Sequence, residues 1–110
     1  LTPISKISTL EQLLLSGCKV TDLTPIKSLT GLKTIFCDAL PIDSLDVLSR
    51  MKSLETLNIN RTNIRSLAPL DQLKNLKKLY CLGTLISKAE LRRFKKLHPK
   101  CKVYSDFNTK

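Results

Sequence analysis

Leu10, Leu32, Leu54 and Leu76 stand 22 residues apart, and Leu13, Ile35, Leu57 and Leu79 keep the same step. So do Leu15, Cys37, Ile59 and Cys81, and then Val20, Ile42, Ile64 and Ile86. Leu1, Leu23, Leu45 and Leu67 follow it, as do the columns led by Ile4 and Ile7. An uninterrupted period of this length constrains the fold more than composition does. One unit cannot bury its own apolar stripe, whereas stacked copies bury a continuous one.

Each unit has two halves. LETLNIN, residues 54–60, has apolar residues at 57 and 59, the alternation of a short strand. The following half spaces Leu67, Leu70, Leu73 and Leu76 by three, the period of a 3₁₀-like return. Pro3, Pro25 and Pro69 recur in that half, where a fixed φ is tolerated and no sheet donor is lost. The register predicts parallel strands centred near residues 14, 36, 58, 80 and 102, the last in CKVYS, with Cys101 and Val103 taking the places of Leu79 and Cys81. Before that strand, SKAELRRFKKLHPK replaces the return and predicts a helix over about 88–97. Ser87 and Glu90 form a capping box, Leu91, Phe94 and Leu97 share a face, and Pro99 ends the helix.

LETLNINRTNIRSLAPLDQL resembles the 22-residue class of leucine-rich repeats, as in bacterial internalin-like and SDS22-like proteins. The resemblance covers almost the whole chain. It implies an α/β fold, a right-handed solenoid with a parallel concave sheet, a 3₁₀ or irregular convex side and a C-terminal helix-plus-strand cap. A single domain is expected, with repeats over 1–86 and the cap over 87–110, and with an N-terminal cap or further domain upstream of Leu1. The family often places Asn where the turn follows the strand. This chain has Cys18, Leu40, Thr62 and Thr84 there, and Leu40, which cannot hydrogen-bond, predicts a weaker ladder at the second unit.

Alternation sends one column outward onto the concave face: Leu14, Phe36, Asn58, Tyr80 and Lys102. The next column reads Ser16, Asp38, Asn60, Leu82 and Tyr104, and the preceding one Gln12, Thr34, Thr56 and Lys78. Leu14, Phe36, Asp38, Asn58, Asn60, Tyr80, Leu82, Lys102 and Tyr104 are therefore the candidate partner-binding residues. A parallel sheet with one bare face is unusual unless that face binds something, and exposed aromatics are enriched at binding hot spots. Scattered surface apolar residues are the plainer alternative.

The net charge is +10, and residues 74–110 supply most of it, with 11 Lys and Arg against 2 acidic residues. Arg92, Arg93, Lys95 and Lys96 are a possible patch for an anionic partner, or the solvated outer face of a cap. No nucleic-acid-binding motif accompanies the charge, so nucleic acid is the weaker partner class. No apolar run approaches the ~18 residues of a transmembrane helix. Cys37, Cys81 and Cys101 fall in inward columns and are expected buried and unbridged. Together with Cys18 they make no CxxC pair, so no metal or cofactor is expected. Free thiols point towards a reducing compartment, a bacterial cell surface being the alternative. His98, before Pro99, reads as structural or solvated, Asp43 and Asp46 as solvent-facing, and the sequon Asn60-Arg61-Thr62 as coincidental. With no phosphate loop, GxGxxG or HExxH, an enzyme is not expected. A non-catalytic module binding a macromolecule, most of all a protein, is the leading expectation. A ligand-sensing repeat segment of a larger signalling protein, or nucleic-acid and anionic-surface binding through the basic end, are the alternatives.

Overall fold

A computed structural model describes residues 11–107, so Leu1, Pro3, Ile4, Ile7 and Leu10 of the repeat columns lie outside the described residues. The strands are β1 (Gln12–Leu14), β2 (Thr34–Phe36), β3 (Thr56–Asn58), β4 (Lys78–Cys81) and β5 (Lys102–Ser105). All pair in parallel, in chain order, as one sheet. The helix α1 spans Lys88–Leu97, as the sequence predicts. Among the described residues no helix is long and apolar enough to cross a membrane.

The return halves show why the leucines recur every third residue. Ile26 N–H donates to Leu23, Leu29 N–H to Ile26, and Leu32 N–H to Leu29, at 2.9–3.2 Å. Leu45 to Leu54 and Leu67 to Leu76 repeat these bonds. In a 3₁₀ path residues i and i+3 eclipse, so the same residues carry the hydrogen bonds and point inward. The assigned 3₁₀ segments are Thr24–Ile26, Asp46–Arg50 and Ala68–Leu70. Pro25 and Pro69 sit in the first turn of the outer two, and the longest segment is the one with Val47 in their place. The core is one stack, with Ile35, Leu48, Met51, Leu57, Leu70 and Leu79 fully buried.

The step changes at the end. Leu57 lies opposite Leu79, 22 residues on, but Leu79 lies opposite Val103, 24 on. The backbone bonds agree: Thr34 donates to Glu11, Thr56 to Lys33 and Lys78 to Glu55, but Lys102 to Lys77. An α-helix rises about 1.5 Å per residue against about 2.0 Å for 3₁₀, so a helical return uses more residues over a similar path. The uniform 22-residue extrapolation is therefore corrected by two residues in the last strand. Val103, half-buried, takes the inward place opposite Leu79, and Cys101 is a half-buried residue before the strand.

Two further corrections concern α1. Leu91 and Phe94 are buried, but Leu97 is 44% exposed and His98 is buried instead. The fourth residue after Phe94 returns closer to its face than the third does, and the His98 ring stacks on Phe94 with centroids 4.3 Å apart. The capping box is half formed. Ser87 Oγ accepts the Glu90 N–H at 3.1 Å, while the Glu90 carboxylate accepts from Leu67 N–H at 2.7 Å and from Arg93.

The second unit does have fewer bonds, but the backbone rung beside Leu40 is kept. Ala39 N–H donates to Asn60 at 2.8 Å, and Leu40 is buried. Leu40 does lack the bond that Thr62 makes to Ile59 O and Thr84 to Cys81 O. The missing rung lies one residue on. Asn63 N–H donates to Ile42 and Leu85 N–H to Ile64, whereas the equivalent residue of the second unit is Pro41, which has no N–H. After each of β1 to β4 the chain turns through a left-handed residue: Gly17, Ala39, Arg61 and Gly83 have φ between 57° and 73°.

Candidate functional site: the concave face

The outward column, corrected for the last step, reads Leu14, Phe36, Asn58, Tyr80 and Tyr104. Leu14 is 64% and Tyr104 41% exposed, while Phe36, Asn58 and Tyr80 are half-buried. The Tyr80 and Tyr104 rings stack at 4.7 Å and 10°, close to the ~4.8 Å spacing of adjacent strands. The preceding column reads Gln12, Thr34, Thr56, Lys78 and Lys102. Lys102 thus stands beside Lys78 rather than beside Tyr80, and Tyr104 beside Tyr80 rather than beside Leu82.

The other flank reads Ser16, Asp38, Asn60, Leu82 and Asp106, and much of it serves the backbone. Ser16 Oγ donates to Asp38, and Arg61 approaches Asp38 at 3.9 Å. Asn58 Oδ1 accepts from Asn60 N–H at 2.9 Å, and Asn60 Oδ1 accepts from Leu82 N–H at 2.7 Å. Both Asp106 oxygens accept from Gly83 N–H, at 2.9 and 3.1 Å. Leu82 stays 41% exposed. Asp106 and the stacked tyrosine pair are the features that sequence reasoning missed.

The basic helix divides in use. Arg92 and Lys96 are exposed and Lys95 is half-buried. Arg93 is committed: it donates two bonds to Asp71, at 2.9 and 3.1 Å, and two to Glu90, at 2.9 and 3.0 Å. This bidentate network ties α1 to the preceding return. The Arg93 hydrogen bonds hold the Glu90 carboxyl below its ordinary value, burial opposing them and the Leu67 N–H assisting. The four-residue patch of the sequence reading therefore contains one internal clamp.

The thiols split similarly. Burial, with Asp38 adding, pushes the Cys37 thiol up to about 12, and burial, with Asp106 and then Cys101 adding and Lys95 opposing, does the same to Cys81. Burial raises Cys101 to about 11, while Cys18 is exposed. All four are free. Asp43 and Asp46 are exposed, and Thr62 of the sequon is buried at 3%.

The sequence model of the family Leucine Rich repeats (2 copies) matches residues 52–93. Comparison with curated protein sequences gives no match. Internalin C2 of Listeria monocytogenes superposes with a TM-score of 0.84 at 25% identity, covering 96% of this chain and 46% of that one. The Listeria monocytogenes internalin InlF gives 0.83 at 28%, covering 94% and 30%, and a leucine-rich repeat protein of Leptospira interrogans gives 0.83 at 29%, covering 96% and 27%. The chain thus spans less than half the length of each of these solved structures. The 22-residue register, the parallel sheet with 3₁₀ returns and these likenesses converge on a leucine-rich repeat fold of the internalin-like type.

Proposed function

We propose that the chain is a non-catalytic module that recognises a protein partner on the concave face of its sheet. The observation that carries this reading is the outward row from Leu14 to Tyr104, apolar at four of five places on a parallel sheet. A parallel sheet normally has both faces covered, and stacked repeats use their extended concave surface for binding. Tyrosine gives large contact area for little lost rotamer freedom. The leucine-rich repeat family, commonly used in protein–protein recognition, supports the same reading.

The test is a photo-crosslinking amino acid placed at Phe36, with Lys27 on the convex side as control. Crosslinks to a protein from Phe36 and not from Lys27 are expected. Once the partner is in hand, Phe36→Ala and Tyr80→Ala should each weaken binding by about 1–4 kcal/mol. Both project from the sheet and leave no core cavity, so the melting temperature should move little for Phe36→Ala and somewhat more for Tyr80→Ala, which also loses the Tyr104 stack. Crosslinks from the convex control alone would move the interface elsewhere. The basic helix is the competing surface, and its test is Arg92→Glu with Lys96→Glu, since Arg93 is committed to Asp71 and Glu90.

A further inference from the structure

The 24-residue step does more than lengthen the last return. It sets Lys102 directly beside Lys78 on adjacent strands and, two residues on, Tyr104 beside Tyr80. Adjacent strands lie about 4.8 Å apart, and like charges side by side on a sheet repel. The first three places of the lysine column, Gln12, Thr34 and Thr56, are uncharged. Cations one residue earlier are matched: Lys33 pairs with Glu11 at 3.7 Å and Lys77 with Glu55 at 3.6 Å. Lys78 and Lys102 are exposed and make no ion pair among the described residues. The chain therefore places two unneutralised lysines side by side on neighbouring strands, next to an aromatic platform.

We propose that Lys78, Lys102, Tyr80 and Tyr104 form a subsite for an acidic polypeptide segment. A carboxylate of the segment sits between the two ammonium groups, and an apolar or aromatic side chain lies on the stacked tyrosines. This rests on the concave-face reading and names the partner's chemistry. An extended peptide repeats its side chains on one face every second residue, about 6.6 Å, the same spacing as Lys102 and Tyr104 along their strand. An acidic residue and an aromatic residue two apart therefore match the two rows. The third row ends in Asp106, whose carboxylate is exposed at the far side of the tyrosines. A uniform polyanion such as a nucleic acid would meet that like charge, whereas a segment acidic at one end only would not.

The probe is a random copolymer of glutamate and tyrosine, titrated into the ¹⁵N-labelled chain. Polyglutamate, a lysine–tyrosine copolymer and an oligothymidylate are the comparisons. The expected result is saturable binding of the glutamate–tyrosine copolymer with shifts at Lys78, Tyr80, Lys102 and Tyr104. Polyglutamate should bind less tightly and the lysine copolymer not at all. Lys78→Gln with Lys102→Gln should weaken binding at least tenfold while melting no lower than the parent, because the pair it removes is repulsive. Equal binding by that double variant, or no binding of the copolymer, would overturn the subsite. Tighter binding of the oligothymidylate at the same residues would replace the polypeptide by a nucleic acid. Shifts confined to Leu14, Phe36 and Asn58 would sink the subsite and leave the concave-face reading standing, while shifts confined to α1 would sink both.

Discussion

Between β3 and β4 the chain returns through a 3₁₀ segment in 22 residues, and between β4 and β5 it returns through α1 in 24. The first kind of return is held by leucines that bond and pack on each other at every third position. The second is held by two buried rings, Phe94 and His98, and by a polar clamp of Arg93, Glu90 and Asp71. The repeats therefore draw their order from a pattern spread over many equivalent residues. The unit built on α1 draws its order from a few residues that have no counterpart in the other described units. A single substitution should be felt differently in the two regions.

Phe94→Ala is the harshest test of that contrast. It empties a fully buried aromatic site and leaves the His98 ring unstacked. A loss of about 3–5 kcal/mol is expected in urea unfolding, while Leu97→Ala stays within about 0.5 kcal/mol. Equal losses would mean that the helix presents a different face. The polar clamp should show next. Glu90→Gln is expected to cost about 1–2 kcal/mol at neutral pH, a charged hydrogen-bond value discounted because Arg93 is 39% exposed. The folded carboxyl titrates below the unfolded one, so its contribution is complete above the ordinary glutamate value of about 4.3 and is lost as pH falls through the lower folded value. Stability measured from pH 7 to pH 3 should therefore decline less steeply in Glu90→Gln than in the parent.

The smallest effect belongs to the repeats. Ala39, at φ 61°, occupies a corner where Gly17 and Gly83 stand in other units. Ala39→Gly should stabilise the chain by about 0.5–1 kcal/mol, because a side chain disfavours the left-handed region by more than glycine loses on ordering. Gly83→Ala should do the reverse. Its φ is 69° and its added Cβ would lie 3.2 Å from Arg61 Cγ. Thermal melts of the two variants moving in the same direction would refute the assignment of strain to these corners.

The sheet, its four regular strands and the span of α1 were legible because they rest on repetition and on local capping. The position of β5 was not, because CKVYS alternates equally well in either of two registers. A signal was nevertheless present. Thr34-Ile35-Phe36-Cys37-Asp38 and Lys102-Val103-Tyr104-Ser105-Asp106 share an aromatic residue, a small one and an aspartate in order, which favours the observed pairing over the uniform step. Residues such as Phe36 and Tyr80 could be assigned to the concave face from alternation alone. The Tyr80–Tyr104 stack, the Lys78–Lys102 neighbours and the internal use of Arg93 depend on contacts between units, which a period read along one dimension does not contain. The burial of His98 in place of Leu97 was missed for a similar reason: a stripe drawn at steps of three drifts off a helix that turns every 3.6 residues.

Pro41 has a consequence for motion. Each junction between units opens by breaking its own rungs, and the junction spanning Val20 and Pro41 has one rung fewer than those spanning Ile42 and Asn63 or Ile64 and Leu85. Opening of a stacked array propagates from its least coupled interface. Amide protons donated across that first junction, such as those of Leu15 and Gly17, should exchange with solvent sooner than those of Ile59 and Arg61. The stack would thus part first between the units of β1 and β2, at a place set by the absence of a single hydrogen atom.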